Sequence, residues 1–250
     1  MRTLKLAGML VFAGALGLTA GPQARAQAGP NDGQIQVDVA KALSNKRFEG
    51  VKADVHNSMV TLSGSVDVYS AKEEADRKVH HVKNVEAVRN MIEVGGPHTE
   101  DSILTEKLAK KLEYDRVGYG TTPFNAITLD VHNGIVTLGG TVYGPVDKDT
   151  AVSEVENYPG VRDVIDNIEV APVSMEDDRL RMDLYRAIYG SVELGKYSMD
   201  PAKPIRISVV HGNVMLSGVV DSAMDKQIAG MRAGSVPNVF KVVNNLEVKK

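Results

Sequence analysis

Apolar residues recur at helical spacing in three stretches of the chain. Ile35, Val39 and Leu43 form the first; Ile103/Leu104, Leu108 and Leu112 the second; Leu180, Leu184 and Ile188 the third. An i, i+4, i+8 stripe lets a helix bury one face. Behind each stripe the period changes to two, in paired segments around a tight turn: Val55–Gly64, Val131–Gly140 and Val210–Gly218. Asn133-Gly134 suits a two-residue hairpin turn, because both positions need positive φ and these residues reach it cheaply. In the second arm of each pair, Val60/Leu62, Val136/Leu138 and Val214/Leu216 share one face. A second helix follows, with inward Ala75/Val79 and Ala151/Val155. Ser70-x-x-Glu73 and Ser222-x-x-Asp225 read as capping boxes for it, and Ser174-x-x-Asp177 as a cap for the helix ahead. A last strand is expected over Val88–Val94, Val164–Val170 and Val242–Val248.

The segments are copies of one another. After Gly64, Gly140 and Gly218 they align without a gap, so that Lys72, Lys148 and Lys226 correspond. So do Val85, Val161 and Val239, and the endings Ile92-Glu93-Val94, Ile168-Glu169-Val170 and Leu246-Glu247-Val248. The third copy reads as one residue shorter at its turn. A period of this length is too long for a solenoid unit and suits a small domain. The order α-β-β-α-β predicts an α+β fold: three tandem two-layer domains, each with two helices on one face of a three-stranded mixed sheet. The boundaries read as 34–95, 101–171 and 176–250, joined by short links.

The N-terminus differs from all of this. Arg2 and Lys5 precede an apolar run, Leu6–Ala20, and Ala24-Arg25-Ala26 offers a small-residue cleavage site. The run is shorter than the roughly 20 residues that span a bilayer. Residues 1–26 therefore read as a signal peptide cut after Ala26, leaving a mature chain with no transmembrane segment. With no cysteine, disulfides, thiol chemistry, Cys-based zinc sites and an acylated N-terminal cysteine are all excluded. Aromatics make up only 5% of the 250 residues, with no Trp, so several thin cores are expected rather than one large one.

The repeat resembles the BON domain. The resemblance rests on the opening helix, on the hairpin Val-x-Asn-Gly-x-Val-x-Leu-x-Gly (Val131–Gly140), and on the ending Gly160-Val161-Arg162-Asp163-Val164-Ile165-Asp166-Asn167-Ile168-Glu169-Val170. The first and third copies depart from it with Asn84-Val85 and Asn238-Val239, and Tyr197–Pro204 lengthens a connection in the third. The resemblance implies a periplasmic protein without catalysis. It also implies a link to osmotic or envelope stress and association with phospholipid surfaces or envelope proteins. Chaperone-like holding of exported client chains is the alternative that it implies.

The residues themselves point to no reaction. No zinc-protease, nucleophile-elbow or phosphate-loop motif occurs in a convincing setting, and no cofactor or metal is expected. A net charge of −3 gives no basic footprint for nucleic acid. Gly64, Gly140 and Gly218, with Asn133 and Gly134, read as hairpin and turn structure. His56, His132 and His211 read as strand-end residues beside the turn, and adjacent His80-His81 as a solvated helix end. The recurring lysines read as solvated, their stems on the sheet. Charge does distinguish the copies: residues 34–94 balance, 101–170 are strongly acidic, and 176–250 are net basic. An anionic bilayer would repel the second copy and tolerate the third. The opening helix of the third carries Arg179, Arg181, Tyr185, Arg186 and Tyr189. Tyrosine beside arginine suits a headgroup zone, so these five are the candidate lipid or partner surface. The competing reading is a rim packed against the acidic second copy.

Overall fold

A computed structural model of the chain describes residues 29–96, 99–114, 121–199 and 204–249. The apolar N-terminal run and its cleavage motif lie outside the described residues.

The first unit opens with α1 (Asp32–Ala42), which puts Ile35 and Val39 fully inside. A short 3-10 turn, Lys46–Phe48, leads to the hairpin of β1 (Val51–His56) and β2 (Met59–Val66). Next come α2 (Tyr69–His80), β3 (Ala87–Asn90) and the two-residue β4 (Glu93–Val94). β2 is central: it pairs antiparallel with β1, and parallel with β3 and β4. A parallel partner requires a crossover, which α2 supplies.

The second unit repeats this order. It runs α3 (Asp101–Tyr114), the turn Thr122–Phe124, β5 (Ala126–His132), β6 (Ile135–Val142), α4 (Pro145–Glu156), β7 (Asp163–Asp166) and β8 (Glu169–Val170). The third runs α5 (Met175–Tyr189), the turn Gly195–Ser198, β9 (Arg206–Val210), β10 (Asn213–Ser217), β11 (Val219–Val220), α6 (Ala223–Gly234), β12 (Lys241–Asn244) and β13 (Glu247–Val248). The three α-β-β-α-β units are thus the α+β repeats that the periodicity indicates.

Three local expectations change. The last strand of each unit is two pieces, because a side chain interrupts it. Asn90, Asp166 and Asn244 each accept the amide two residues on, at 3.1, 3.0 and 3.3 Å, and turn Ile92, Ile168 and Leu246 into the core. The third hairpin is not shortened: Val209 pairs with Val214 and Val210 with Asn213, so its turn is His211-Gly212. That pair has φ of 50° and 73°, like Asn133-Gly134 at 53° and 76° and Asn57-Ser58 at 49° and 62°. Finally, α2 starts at Tyr69, and Ser70 does not cap it, whereas Ser222 and Ser174 do accept Asp225 and Asp177 amides at 3.0 and 3.1 Å. The Asn84 and Asn238 departures are conformationally neutral, since both hold φ 67° where Gly160 holds 96°. Asparagine is among the few side chains that enter this region readily.

The hairpin glycines answer to sterics. Gly140 has φ 90°, and a Cβ there would stand 2.0 Å from the Ala126 carbonyl oxygen. Gly64 is in the same position, with φ 101° and 2.1 Å to the Gly50 oxygen. No side chain fits so near backbone, and the left-handed φ adds its own cost.

Neighbouring units share their cores. The second cluster, built on Leu104, Leu108, Val136 and Leu138, includes Tyr69 from the first unit. The third, built on Leu184, Ile188, Ile207 and Leu216, includes Phe124 from the second. The second and third cores therefore each gain an aromatic ring from the unit before them.

Candidate functional site

Helix α5 presents three faces. Leu180, Leu184 and Ile188 bury one against the third sheet. A second face turns to the second unit. Arg181 is only 3% exposed; its guanidinium donates to the Val209 carbonyl at 2.7 Å and to Asp178 Oδ1 at 2.6 Å, and lies 5.2 Å from the Tyr143 ring centroid. Tyr189 is buried and donates its hydroxyl proton to the Ile205 carbonyl at 2.6 Å. Burial pushes that phenol well above its ordinary pKa. Tyr185 stacks obliquely on Tyr189, 4.7 Å between centroids, and Phe124 meets Tyr185 edge-on at 6.4 Å and Tyr143 at 6.1 Å. Beside them the Arg206 guanidinium donates to the Thr122 carbonyl across the seam.

Of the five residues expected on one surface, then, Arg181 and Tyr189 are enclosed and Tyr185 is half-buried in an interdomain rim. The physical reason is the tyrosine and phenylalanine of the second unit, whose apolar area is covered by these side chains. Arg179 and Arg186 stand apart on the third face and are exposed. They alternate there with Met175 and Met182, which are 71% and 45% exposed. The four positions are spaced by 4, 3 and 4 residues and make one stripe along the helix.

A concavity lies between the second and third units. It is a groove of about 710 Å³ with Ala109 and Leu112 of α3 and Ile127 of β5 on one wall, Met215 and Ser217 of β10 on the other, and Lys249 near it. The edge strands β5 and β9 approach each other along it.

The remaining candidates are structural. Lys148 donates to the Ile168 carbonyl at 2.7 Å and pairs with Asp166 at 2.9 Å, tying α4 to the broken last strand. In the outer units Asn90 and Asn244 make that tie themselves, donating to the Lys72 and Lys226 carbonyls at 3.2 and 2.7 Å. His56 and His132 end strands, but His211 is a turn residue, so the three histidines are not equivalent. Among the described residues no group of three or more His, Asp or Glu side chains could hold a metal ion.

Reading for motifs misses one device that all three units share. A carboxylate on the opening helix accepts both amides of the hairpin turn. Asp32 takes Asn57 and Ser58 at 2.9 Å each; Asp101 takes Asn133 and Gly134 at 2.7 and 2.9 Å; Asp177 takes His211 and Gly212 at 2.8 and 2.9 Å. The Ser58 amide above all holds the Asp32 carboxyl below its ordinary pKa, against the opposing effect of burial. An acid at the start of each opening helix is the only trace of this in the sequence.

The BON domain family model matches residues 31–96, 100–172 and 191–250. This chain is a BON-domain protein. The third match begins after α5, although Leu180, Leu184 and Ile188 of that helix fill the third BON core. Osmotically-inducible protein Y of Escherichia coli (strain K12) is 24% identical over 191 residues, covering 76% of this chain and 93% of that protein. Among solved structures, the C-terminal domain of CdsD, a structural protein of the type III secretion system of Chlamydia trachomatis, matches at 12% identity and a TM-score of 0.26 over 86% of this chain and 96% of that one. No helix among the described residues of the BON protein is long and apolar enough to cross a membrane.

Proposed function

We propose that this BON protein is exported to the periplasm by residues 1–26, serves under osmotic or envelope stress, and acts without catalysis by touching anionic phospholipid surfaces. The similarity to osmotically-inducible protein Y, which spans nearly all of that relative, supports the setting. The observation that carries the contact is the exposed stripe Met175–Arg179–Met182–Arg186 on α5. Arginines at this spacing reach lipid phosphates while methionine side chains enter the interfacial layer. The basic third unit suits such a surface and the acidic second one does not.

Vesicle flotation tests the contact. The protein is expected to rise with anionic vesicles at low salt, less at moderate salt, and not with zwitterionic ones. Arg179→Glu together with Arg186→Glu should abolish flotation with the fold intact. Equal flotation of that variant, or none by the natural protein, would remove the reading. Sequencing the N-terminus of the protein recovered from the periplasm tests export, with Gln27 expected first.

The groove supports a second reading, the holding of client chains. Its apolar walls and facing strand edges suit an extended apolar segment. Ala109→Glu and Met215→Glu would put charge on both walls. Suppression of client aggregation by the natural protein but not by this variant supports it; no suppression at all excludes it.

A further inference from the structure

Methionine ordinarily ranks among the most buried side chains. This protein keeps it outside. Of ten methionines, Met1 and Met9 lie outside the described residues, and none of the other eight belongs to a core. Seven of these are between 45% and 85% exposed, and Met215 is half-buried on the groove wall. Their distribution is uneven. The second unit has no methionine, whereas the third has six: Met175, Met182, Met199, Met215, Met224 and Met231. The fold does not require them. In the alignment of the repeats Met182, Met215, Met224 and Met231 correspond to Glu106, Thr137, Val146 and Ser153 of the second unit.

We propose that the methionines of the third unit are a modification site for peroxide oxidants, and that oxidation of Met175 and Met182 releases the protein from lipid without unfolding it. The release rests on the phospholipid reading above; the modification does not. With no cysteine and no tryptophan in the chain, the thioethers are the side chains that an oxidant meets first. The Sδ lone pair attacks one peroxide oxygen, an S–O bond forms and the O–O bond breaks. The hydroxide that leaves takes the proton from the new S–OH group and departs as water. Sulfur is oxidised by two electrons to the sulfoxide, and the peroxide is reduced by the same two.

Sulfoxide damages a protein chiefly where it must sit in a core. Here Leu180, Leu184 and Ile188 fill the third core from α5, and Ala229 and Ala233 from α6, so the sulfurs can be oxidised with the packing untouched. The effect falls on the surface instead. Met175 and Met182 are the apolar half of the α5 stripe, and a sulfoxide oxygen is a polar acceptor that resists leaving water. Arg179 and Arg186 keep their charge, but a contact held by charge alone is screened by salt. Helix α6, packed on α5, carries Met224 and Met231 at the same seven-residue spacing, 62% and 59% exposed and outside the stripe. They supply an internal control.

Hydrogen peroxide is the probe. Peptide mass mapping of the treated protein is expected to find one added oxygen on each exposed methionine, with Met215 the slowest. Circular dichroism and the thermal midpoint should stay where they were. Flotation with anionic vesicles at moderate salt should be lost on oxidation and return after incubation with methionine sulfoxide reductases. Met175→Leu together with Met182→Leu keeps the apolar half of the stripe without its sulfur, and should float equally before and after peroxide. Met224→Leu together with Met231→Leu should lose flotation as the natural protein does. Unfolding on oxidation would overturn the proposal. So would oxidised protein that floats undiminished, or an α5 variant that peroxide releases like the natural one. An untreated protein that does not float removes the lipid reading and the release together, and the peptide map and thermal midpoint then decide the modification by themselves.

Discussion

The two seams of this protein are built from different materials. Between the first and second units one ring, Tyr69, enters the next core, beside an exposed serine–asparagine bond, an arginine and carboxylates. Between the second and third they are Phe124, Tyr143, Tyr185 and Tyr189 packed as one aromatic run, with Arg181 enclosed beside it. Aromatic burial is large in area and insensitive to pH, whereas exposed polar bonds contribute little net free energy. The second seam therefore packs four rings where the first buries one, and the second and third units are expected to come apart less readily than the first and second. A charge count per repeat would rank the attraction of the acidic second unit for the basic third as the main force; the structure gives that place to rings instead.

The comparison can be broken at its strong side first. Phe124→Ala removes a buried ring from the third core and should cost about 3–5 kcal/mol of stability. It should also split thermal unfolding of the second and third units into separate transitions, where one shared transition is expected of the natural protein. Asp177→Ala orphans the His211 and Gly212 amides and should cost about 3 kcal/mol, read from denaturant midpoints. Gly140→Ala should cost about 2–3 kcal/mol from the forced φ and the backbone clash, with the second unit alone losing hydrogen-exchange protection. At the weak side, Ser70→Ala should change global stability by less than about 1 kcal/mol, yet broaden the separation of the first two units.

Acid acts on the interior of the third unit. Asp225 accepts the Tyr197 hydroxyl at 2.7 Å and Lys196 Nζ at 2.9 Å, and the phenol above all lowers its carboxyl pKa. A depressed carboxylate contributes stability above its ordinary pKa and loses it as pH falls through the folded value. Strong acid should therefore loosen the third unit. Circular dichroism followed during an acid titration should show the loss only well below pH 4.

Much of this was legible in the sequence, for identifiable reasons. Leu104, Leu108, Leu180 and Leu184 kept helical period, and Val136/Leu138 kept strand period, because each layer is buried on one side only. Asn133-Gly134 announced its turn through the φ it requires. What escaped depended on distance in sequence. Asp101 meets Asn133 and Gly134 across 32 and 33 residues, and Phe124 enters the third core from another unit. Arg181 and Arg186 stand about 140° apart on a helical wheel, but only the fold shows which one faces Tyr143 and which faces water. Histidine is a misleading anchor for the third hairpin, since it precedes the turn in two copies and begins it in the third.

The inequality of the seams is tested most directly by measuring both in one preparation series. One label pair, at Lys52→Cys and Ser102→Cys, spans the first seam; a second, at Ser102→Cys and Lys241→Cys, spans the other. The expected result is a single narrow distance distribution for the second pair and a broader one for the first. Equal breadth in the two pairs, or a broader distribution for the second, would contradict the account.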